Sequence, residues 1–413
     1  MNTNFNIVKK PKKEDVEIEE DEEEIELDDD DDDKPSKSSS NDLRKRMFLV
    51  MGFIVGGTIL LLFILYLCSL LMHKTYDYAD IENLMESSAK KYFKDNPNYL
   101  PTEEGNIVEL DVNNLVAGSY MKNLSEYTGE GVTCSGTIQV EKSGSEYLYT
   151  PYLNCGDQYY TEELYKKIVN DNNVVTSGYG LYSHNGSYAY RGEEVNNYVK
   201  LDNSLWRIVK VTSNNNVVLI HNDGLPYTQP WDDRYNESRF YAAGINSYGA
   251  SRIKEYLNKV YKNSKTKKED EKDENILSNS DKAKLVSYNL CTAKRAANST
   301  TSDNTEECQE NTANQKLGLL TLSDYIYASI DPNCKTATSK SCQNYNYLSI
   351  DNDWWLATAN SADNSTVYKV DGTGVVSSEN ASNYCIVRPV VYLNSKILYK
   401  GGEGTLEKPY TVK

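Results

Sequence analysis

The chain has only three histidines among 413 residues. Those beyond residue 73, His184 and His221, lie in no HxxxH, HxxE or Cys/His spacing. That argues against a zinc centre, and no metal or other cofactor is expected. No GxSxG and no phosphate-binding glycine loop occurs either, so serine-hydrolase and nucleotide chemistry lack their usual signals. Basic patches are missing, and the formal net charge is −17, so nucleic acid is not an expected partner. Phenylalanine is scarce, at 6 against 34 tyrosines. That imbalance suits an AT-rich bacterial genome.

A second absence concerns charge within one stretch. Met47 to Met72 (MFLVMGFIVGGTILLLFILYLCSLLM) contains 26 residues and not one charge. At ~1.5 Å rise per residue a helix of this length would cross a ~30 Å hydrocarbon core. Arg44-Lys45-Arg46 precedes it and only His73-Lys74 follows, so the positive-inside rule places the N-terminus in the cytoplasm. The run is too long for a cleaved signal and offers no small-x-small site. No lipobox precedes Cys68, and no Glu opens the run as in a prepilin. The expectation is an uncleaved, single-pass signal anchor in the cell membrane, with the C-terminal part extracellular. Gly52 and Gly56 form a GxxxG through which two copies could pair.

Residues 1–46 carry 17 acids and 9 bases, a net −8, with 16 acids between Glu14 and Asp33. Self-repulsion and low hydrophobicity predict a disordered cytoplasmic tail. Beyond the span, Ile81, Leu84, Met85, Ala89, Tyr92 and Phe93 share one face of a helix over Asp77–Asp95, capped by Asp77 or Asp80 and stopped by Asn96-Pro97. Asp111 and Gly118 bracket a short helix over Val112–Ala117. Thr137–Val140 and Tyr147–Thr150 flank a turn at Lys142–Ser145, a hairpin in which facing residues should sum to about 287. Cys134 and Cys155 sum to 289, close enough for a cross-strand disulfide. A closure of that size contributes ~3 kcal/mol in the chain-entropy model. The expected units are a tail (1–46), a span (47–72), a small α+β stalk (73–160), a linker (161–172) and a large domain (173–413).

In the large domain, Tyr198–Val211 and Asn216–His221 read as strands, and Ser251–Leu257 and Ser280–Leu290 as helices. Lys262–Glu274 reads as a charged insertion and Asn298–Asn314 as a polar loop. Seven cysteines follow the span, an odd number, so one must stay unpaired within the chain. Cys291 with Cys308, and Cys334 with Cys342, bracket loops and pair most simply with each other. Cys385, in a strand, is the leftover buried thiol.

The hydrophobic helix, its soluble extension, a small sheet and a late disulfide together resemble a pilin or pseudopilin architecture. The stretch YLPTEEGNIVELDVNNLVAGSYMKNL is similar to stalks of surface proteins from low-GC bacteria. Leu205-Trp-Arg-Ile208, Gly318–Tyr325, Asp353-Trp-Trp-Leu356, Val387–Leu393, Gly401–Thr405 and Lys408-Pro-Tyr410 occur in order. This set resembles a domain of unknown function in anchored or secreted bacterial proteins. The closing WWLATAN…VRPVVYL is similar to C-type-lectin-like domains of the sulfatase-modifying-factor type. Those resemblances imply an α+β fold with a mixed, lectin-like sheet and long loops.

Aromatic side chains point to binding rather than catalysis. Trp231, with Tyr227 and Asp232, falls in a turn-rich loop, where an indole can stack on a sugar or peptide group. Trp206 and Trp354 read as core; Trp355, on the opposite strand face from Trp354, is the one that could be exposed. Arg388 is expected to pair with a buried Asp. No catalytic residue is assigned. The expected function is a surface binding or adhesion module for a glycan, peptide or envelope polymer. A structural role in a pilin-like assembly and an envelope hydrolase built on a carboxylate pair are the alternatives.

Overall fold

The computed structural model describes Met51 and residues 56–63, 76–129, 131–172, 174–202, 204–234, 244–262 and 276–413. The chain divides into two compact units, Met1–Lys74 and Thr75–Lys413. In the first, residues 56–63 are helical, with Ile59 to Phe63 exposed. The expectation of a single transmembrane helix is corrected here: among the described residues, no helix is long and apolar enough to cross a membrane. Gly52, most of 47–72 and the whole acidic tail lie outside the described residues. Most of the charged insertion lies outside them too.

The second unit holds two hydrophobic cores. The smaller is built on helix α1 (Tyr78–Asp95), whose Asp77 caps it by accepting from the Asp80 amide at 2.7 Å. Its buried stripe is Ile81, Met85, Ala89 and Phe93, the spacing that one helix face requires. That stripe packs on a three-stranded antiparallel sheet of β1 (Ile107–Asp111), β2 (Ser135–Ser143) and β3 (Glu146–Asn154), with β2 central. Gly136 lets helix and sheet approach: a Cβ there would lie 2.7 Å from the Met85 methyl. Helix α2 (Val112–Ala117) starts at Asp111 and ends at Gly118, where the sequence placed it. The hairpin turns one residue later than expected, so its pairs sum to 289, from Ser143 with Glu146 to Ser135 with Asn154. The next pair in that register is Cys134 with Cys155, which are disulfide-bonded.

Residues 161–172, expected as a linker, contain a helix. Helix α3 (Leu164–Asp171) buries Leu164 and Ile168 in the larger core. The main sheet there runs β16–β8–β7–β5–β4. Its strands are β4 (Gly180–His184), β5 (Ser187–Arg191), β7 (Ser204–Val211), β8 (Val217–His221) and β16 (Val390–Leu393), with β6 (Tyr198–Leu201) also paired to β7. A two-stranded ladder joins β9 (Gln229–Pro230) to β15 (Tyr384–Cys385). A three-stranded sheet of β12 (Trp354–Ala359), β13 (Thr366–Val370) and β14 (Val376–Asn380) stands beside it. All six residues of β12 are buried, so both its faces are covered. Short ladders β10 (Tyr288–Cys291) with β11 (Asn311–Gln315), and β17 (Tyr399–Gly401) with β18 (Thr411–Val412), complete it.

Helices α4 (Arg252–Lys262), α5 (Asn279–Ala283) and α6 (Leu322–Ala328) lie alongside. The expected helix over 280–290 stops after α5, because Tyr288 and Leu290 alternate with exposed Asn289 and build a strand instead. The fold is thus mixed α+β, with a six-stranded main sheet and several smaller antiparallel sheets. Cys291–Cys308 and Cys334–Cys342 are bonded as the spacing suggested, and Cys385 is a buried free thiol.

Candidate functional site

Strand β7 is largely apolar, with Arg207 in its middle, and Lys210 near its end follows a register shift between Ile208 and Lys210 against β8. A bulge of this kind re-aims the side chain beyond it. Lys210 Nζ lies 2.6 Å from Asp324 Oδ1. Asp324 sits in the first turn of α6, whose N-cap is Thr321, a T-x-x-D capping arrangement. Thr321 accepts from the Asp324 amide at 3.2 Å, and its hydroxyl lies 2.9 Å from Asp324 Oδ2. Asn304, from the loop stapled by Cys291–Cys308, donates to Asp324 Oδ1 at 2.9 Å. Thr321 Oγ1 is 2.5 Å from Asn304 Oδ1.

Two recesses open on either side of this cluster, and Lys210, Thr212, Asn304 and Asp324 line both. One, of about 210 Å³, runs along Tyr288, Leu319 and Tyr392. The other, of about 230 Å³, is walled by His184, Ser187, Asp303 and Tyr327. The His184 ring packs on Tyr327 with centroids 4.0 Å apart and planes tilted by 30°. Arg191 places its guanidinium over the same Tyr327 ring at 4.5 Å and over Tyr182 at 4.9 Å. His184 Nε2 is buried and makes no hydrogen bond within the protein.

Electrostatics decide what this cluster can do. Burial alone would lower the Lys210 pKa, but Asp324 outweighs it and the net shift is upward. Burial alone would raise Asp324; the Lys210 charge and three side-chain hydrogen bonds bring it below the ordinary carboxylate value. Both shifts run away from neutrality, the reverse of what a turnover acid or base requires. Burial lowers the His184 pKa, against the pull of Asp303 and Asp324, so the imidazole is neutral at pH 7. The recess therefore presents a locked ion pair, hydroxyls, an amide and a neutral aromatic pair.

The residues expected to bind ligand lie elsewhere. Trp231 is fully buried, and its indole donates to Leu356 O at 3.1 Å. Trp355 is also fully buried and donates to Gln229 O at 2.8 Å. Neither ring offers a face to a ligand, because strands from both sides cover β12. Asp232 is buried and holds Arg234 through both carboxylate oxygens, at 2.9 and 2.7 Å. Tyr227 is half-buried. Among the described residues, an exposed aromatic near this loop is Tyr384, beside a charged recess of about 340 Å³ with Asp233, Arg252 and Glu255. Trp206 and Trp354 are core, as their strands implied.

Among the described residues, Arg388 forms no ion pair with an Asp. It donates to the carbonyls of His221, Leu348 and Asn222 and lies 4.6 Å from the Trp354 ring. Burial, then Arg207, lower its pKa to about 9. Burial pushes the Cys385 thiol up to about 12, which removes it as a nucleophile near neutral pH. Among the described residues, no three His, Cys, Asp or Glu side chains are arranged to hold a metal ion.

Sequence reading missed Asn304, Lys210, Asp324 and Tyr327 as partners. The signals present were a lysine interrupting an apolar strand and the Thr321–Asp324 capping pair. Residues 214–395 match the model of a family described as a domain of unknown function (DUF6273). The matched stretch contains Asn304, Asp324 and Tyr327, while His184 and Lys210 precede it. No curated protein and no solved structure matches the chain.

Proposed function

We propose that the chain is a binding module acting in an oxidising compartment outside the cytosol, and that it takes a neutral glycan in the recess between His184 and Tyr327. The observation that carries this reading is the His184–Tyr327 ring pair, with its buried unpartnered Nε2, beside a wall of hydroxyl and amide groups. A sugar offers a face to the rings and hydroxyls that both donate and accept, which is what Nε2, Asn304 and Asp303 can use. The ion pair at the back supplies fixed polarity without acid–base turnover. Three disulfides support the compartment, since such bonds persist outside reducing cytosol. The lectin-like resemblance of the closing segment points the same way.

The test is titration of the full-length chain with neutral cell-wall and mucin-type oligosaccharides, followed by calorimetry. Tyr327→Ala and His184→Ala should each weaken binding by tenfold or more, while Tyr384→Ala, at a distant surface, leaves it unchanged. Equal binding by all four proteins, or release of cleaved sugars, would overturn the reading.

A further inference from the structure

Two nitrogen atoms of different chemical kind share one carboxylate oxygen in this cluster. The Lys210 ammonium is 2.6 Å and the Asn304 carboxamide nitrogen 2.9 Å from Asp324 Oδ1. An amine, a carboxamide and an acid able to reach both are the components of amide exchange. All three are held by independent elements: the bulged strand β7, the disulfide-stapled loop and the capped start of α6. Asn304 is moreover kept at φ +65°, in the left-handed region, with its carbonyl oxygen against the Thr321 hydroxyl. A hydrogen bond at that oxygen favours the tetrahedral adduct that attack at Cγ would form.

We propose that Lys210 and Asn304 form an intramolecular isopeptide bond, with Asp324 relaying the protons. The Asp324 carboxylate takes a proton from the Lys210 ammonium. The freed amine forms the Nζ–Cγ bond with Asn304. Asp324 returns the proton to Nδ2 as the Cγ–Nδ2 bond breaks. It then takes the second proton from the new amide nitrogen and passes it to the departing ammonia. One ammonium and one carboxamide are consumed; one secondary amide and one ammonium ion result, and Asp324 ends as the carboxylate it began as. No oxidant or cofactor is involved.

The resting pair is ionised, so the reactive amine–acid form is a minor species. That would defeat a turnover enzyme, but this reaction happens once per molecule. Holding both nitrogens on one carboxylate oxygen substitutes for a high concentration of the reactive form. The product would tie β7 to the Cys291–Cys308 loop and freeze the wall shared by the two recesses. This inference concerns maturation of the chain: the bond would replace the Lys210 ammonium at the back of the recess with a neutral amide, and its test does not depend on glycan binding.

The test is the intact mass of the purified full-length chain after reduction and alkylation, together with a proteolytic map. The expected mass is that of the sequence less one ammonia molecule, with a branched peptide joining Lys210 to Asn304 that survives reduction. Lys210→Arg keeps the charge and the bond to Asp324 but should show the full mass and no branched peptide. Asn304→Ala should do the same. A full sequence mass in the unsubstituted chain, a deficit of water in place of ammonia, or an ammonia deficit without the branched peptide would each overturn the proposal. Because the unsubstituted chain decides it, a variant that fails to fold leaves the result intact.

Discussion

Trp231 and Trp355 are bonded crosswise: the indole of each donates to a backbone carbonyl within two residues of the other. Trp231 reaches Leu356 O at 3.1 Å and Trp355 reaches Gln229 O at 2.8 Å. The two bonds bolt the β9 segment onto strand β12, and both rings are wholly buried. A turn-rich loop with a tryptophan thus became a wall of the core.

Trp231→Ala and Trp355→Ala should each cost about 3–5 kcal/mol of stability, the usual range for emptying a buried aromatic site. Trp→Phe at either position keeps most of the volume and loses the N–H donor, leaving a buried carbonyl unpaired at about 1–3 kcal/mol. Urea unfolding followed by tryptophan fluorescence measures both. Near-unchanged midpoints for the alanine variants would return these residues to the surface.

The Cys134–Cys155 bond continues the β2–β3 register one pair past Ser135–Asn154. The core it serves is small, with Ile138, Val140 and Leu153 facing α1. Cys134→Ala/Cys155→Ala should destabilise that part by about 3 kcal/mol. Hydrogen exchange should then speed up at the Ile138 and Val140 amides and stay slow at Leu219 and Ile220 of β8. Equal acceleration in both cores would contradict this division of the unit.

His221 makes a pH prediction. Burial, then the neighbouring Arg388 charge, lower its pKa from 6.5 to about 4. Its Nδ1 accepts from the Gly224 amide at 3.0 Å, so adding a proton there would set donor against donor. The unfolded chain binds this proton more readily than the folded one. Its contribution to stability is therefore complete above about pH 6.5 and is lost as pH falls toward about 4. His221→Asn, which keeps an acceptor near Nδ1, should flatten the stability curve across that window. His184, shifted in the same direction, leaves a residual slope. Urea midpoints between pH 4 and 7 for the two proteins check it; parallel curves would refute the assignment.

Helix faces, caps and cysteine pairings were legible in the sequence because each is a local pattern. Asp77 and Asp111 cap where their spacing says, and Cys134 meets Cys155 because strand register is arithmetic. The site was not legible, because its parts lie on three segments brought together only by folding. Lys210, Asn304 and Asp324 carry no shared motif, and Asn304 sat in a stretch that composition alone marks as loop. Trp355 misled for a related reason. Alternation says which residues share a strand face, but not that both faces of β12 are covered.

The same limit applies to a wholly buried ion pair, where a strong prediction is available. Arg295 and Glu307 are wholly buried, with Nη1 3.1 Å from Oε1. Arg295 also donates to Ser323 Oγ at 2.6 Å and to Ser299 O at 3.1 Å, while Glu307 accepts from the Ser323 amide at 3.0 Å. This network clamps the Cys291–Cys308 loop, and with it Asn304, against the start of α6. Removing one charge strands the other in low dielectric, so Glu307→Gln should cost about 3–5 kcal/mol. Arg295→Met with Glu307→Leu removes both desolvation penalties and should cost less than Glu307→Gln alone. It will not restore full stability, because the carbonyls of Ser299 and Thr301 lose their donor as well. Thermal and urea unfolding of the single and double variants decide it. A double variant whose cost equals the sum of those of Arg295→Met and Glu307→Leu made singly would mean that the residues act independently, and that the loop is held by something other than their charges.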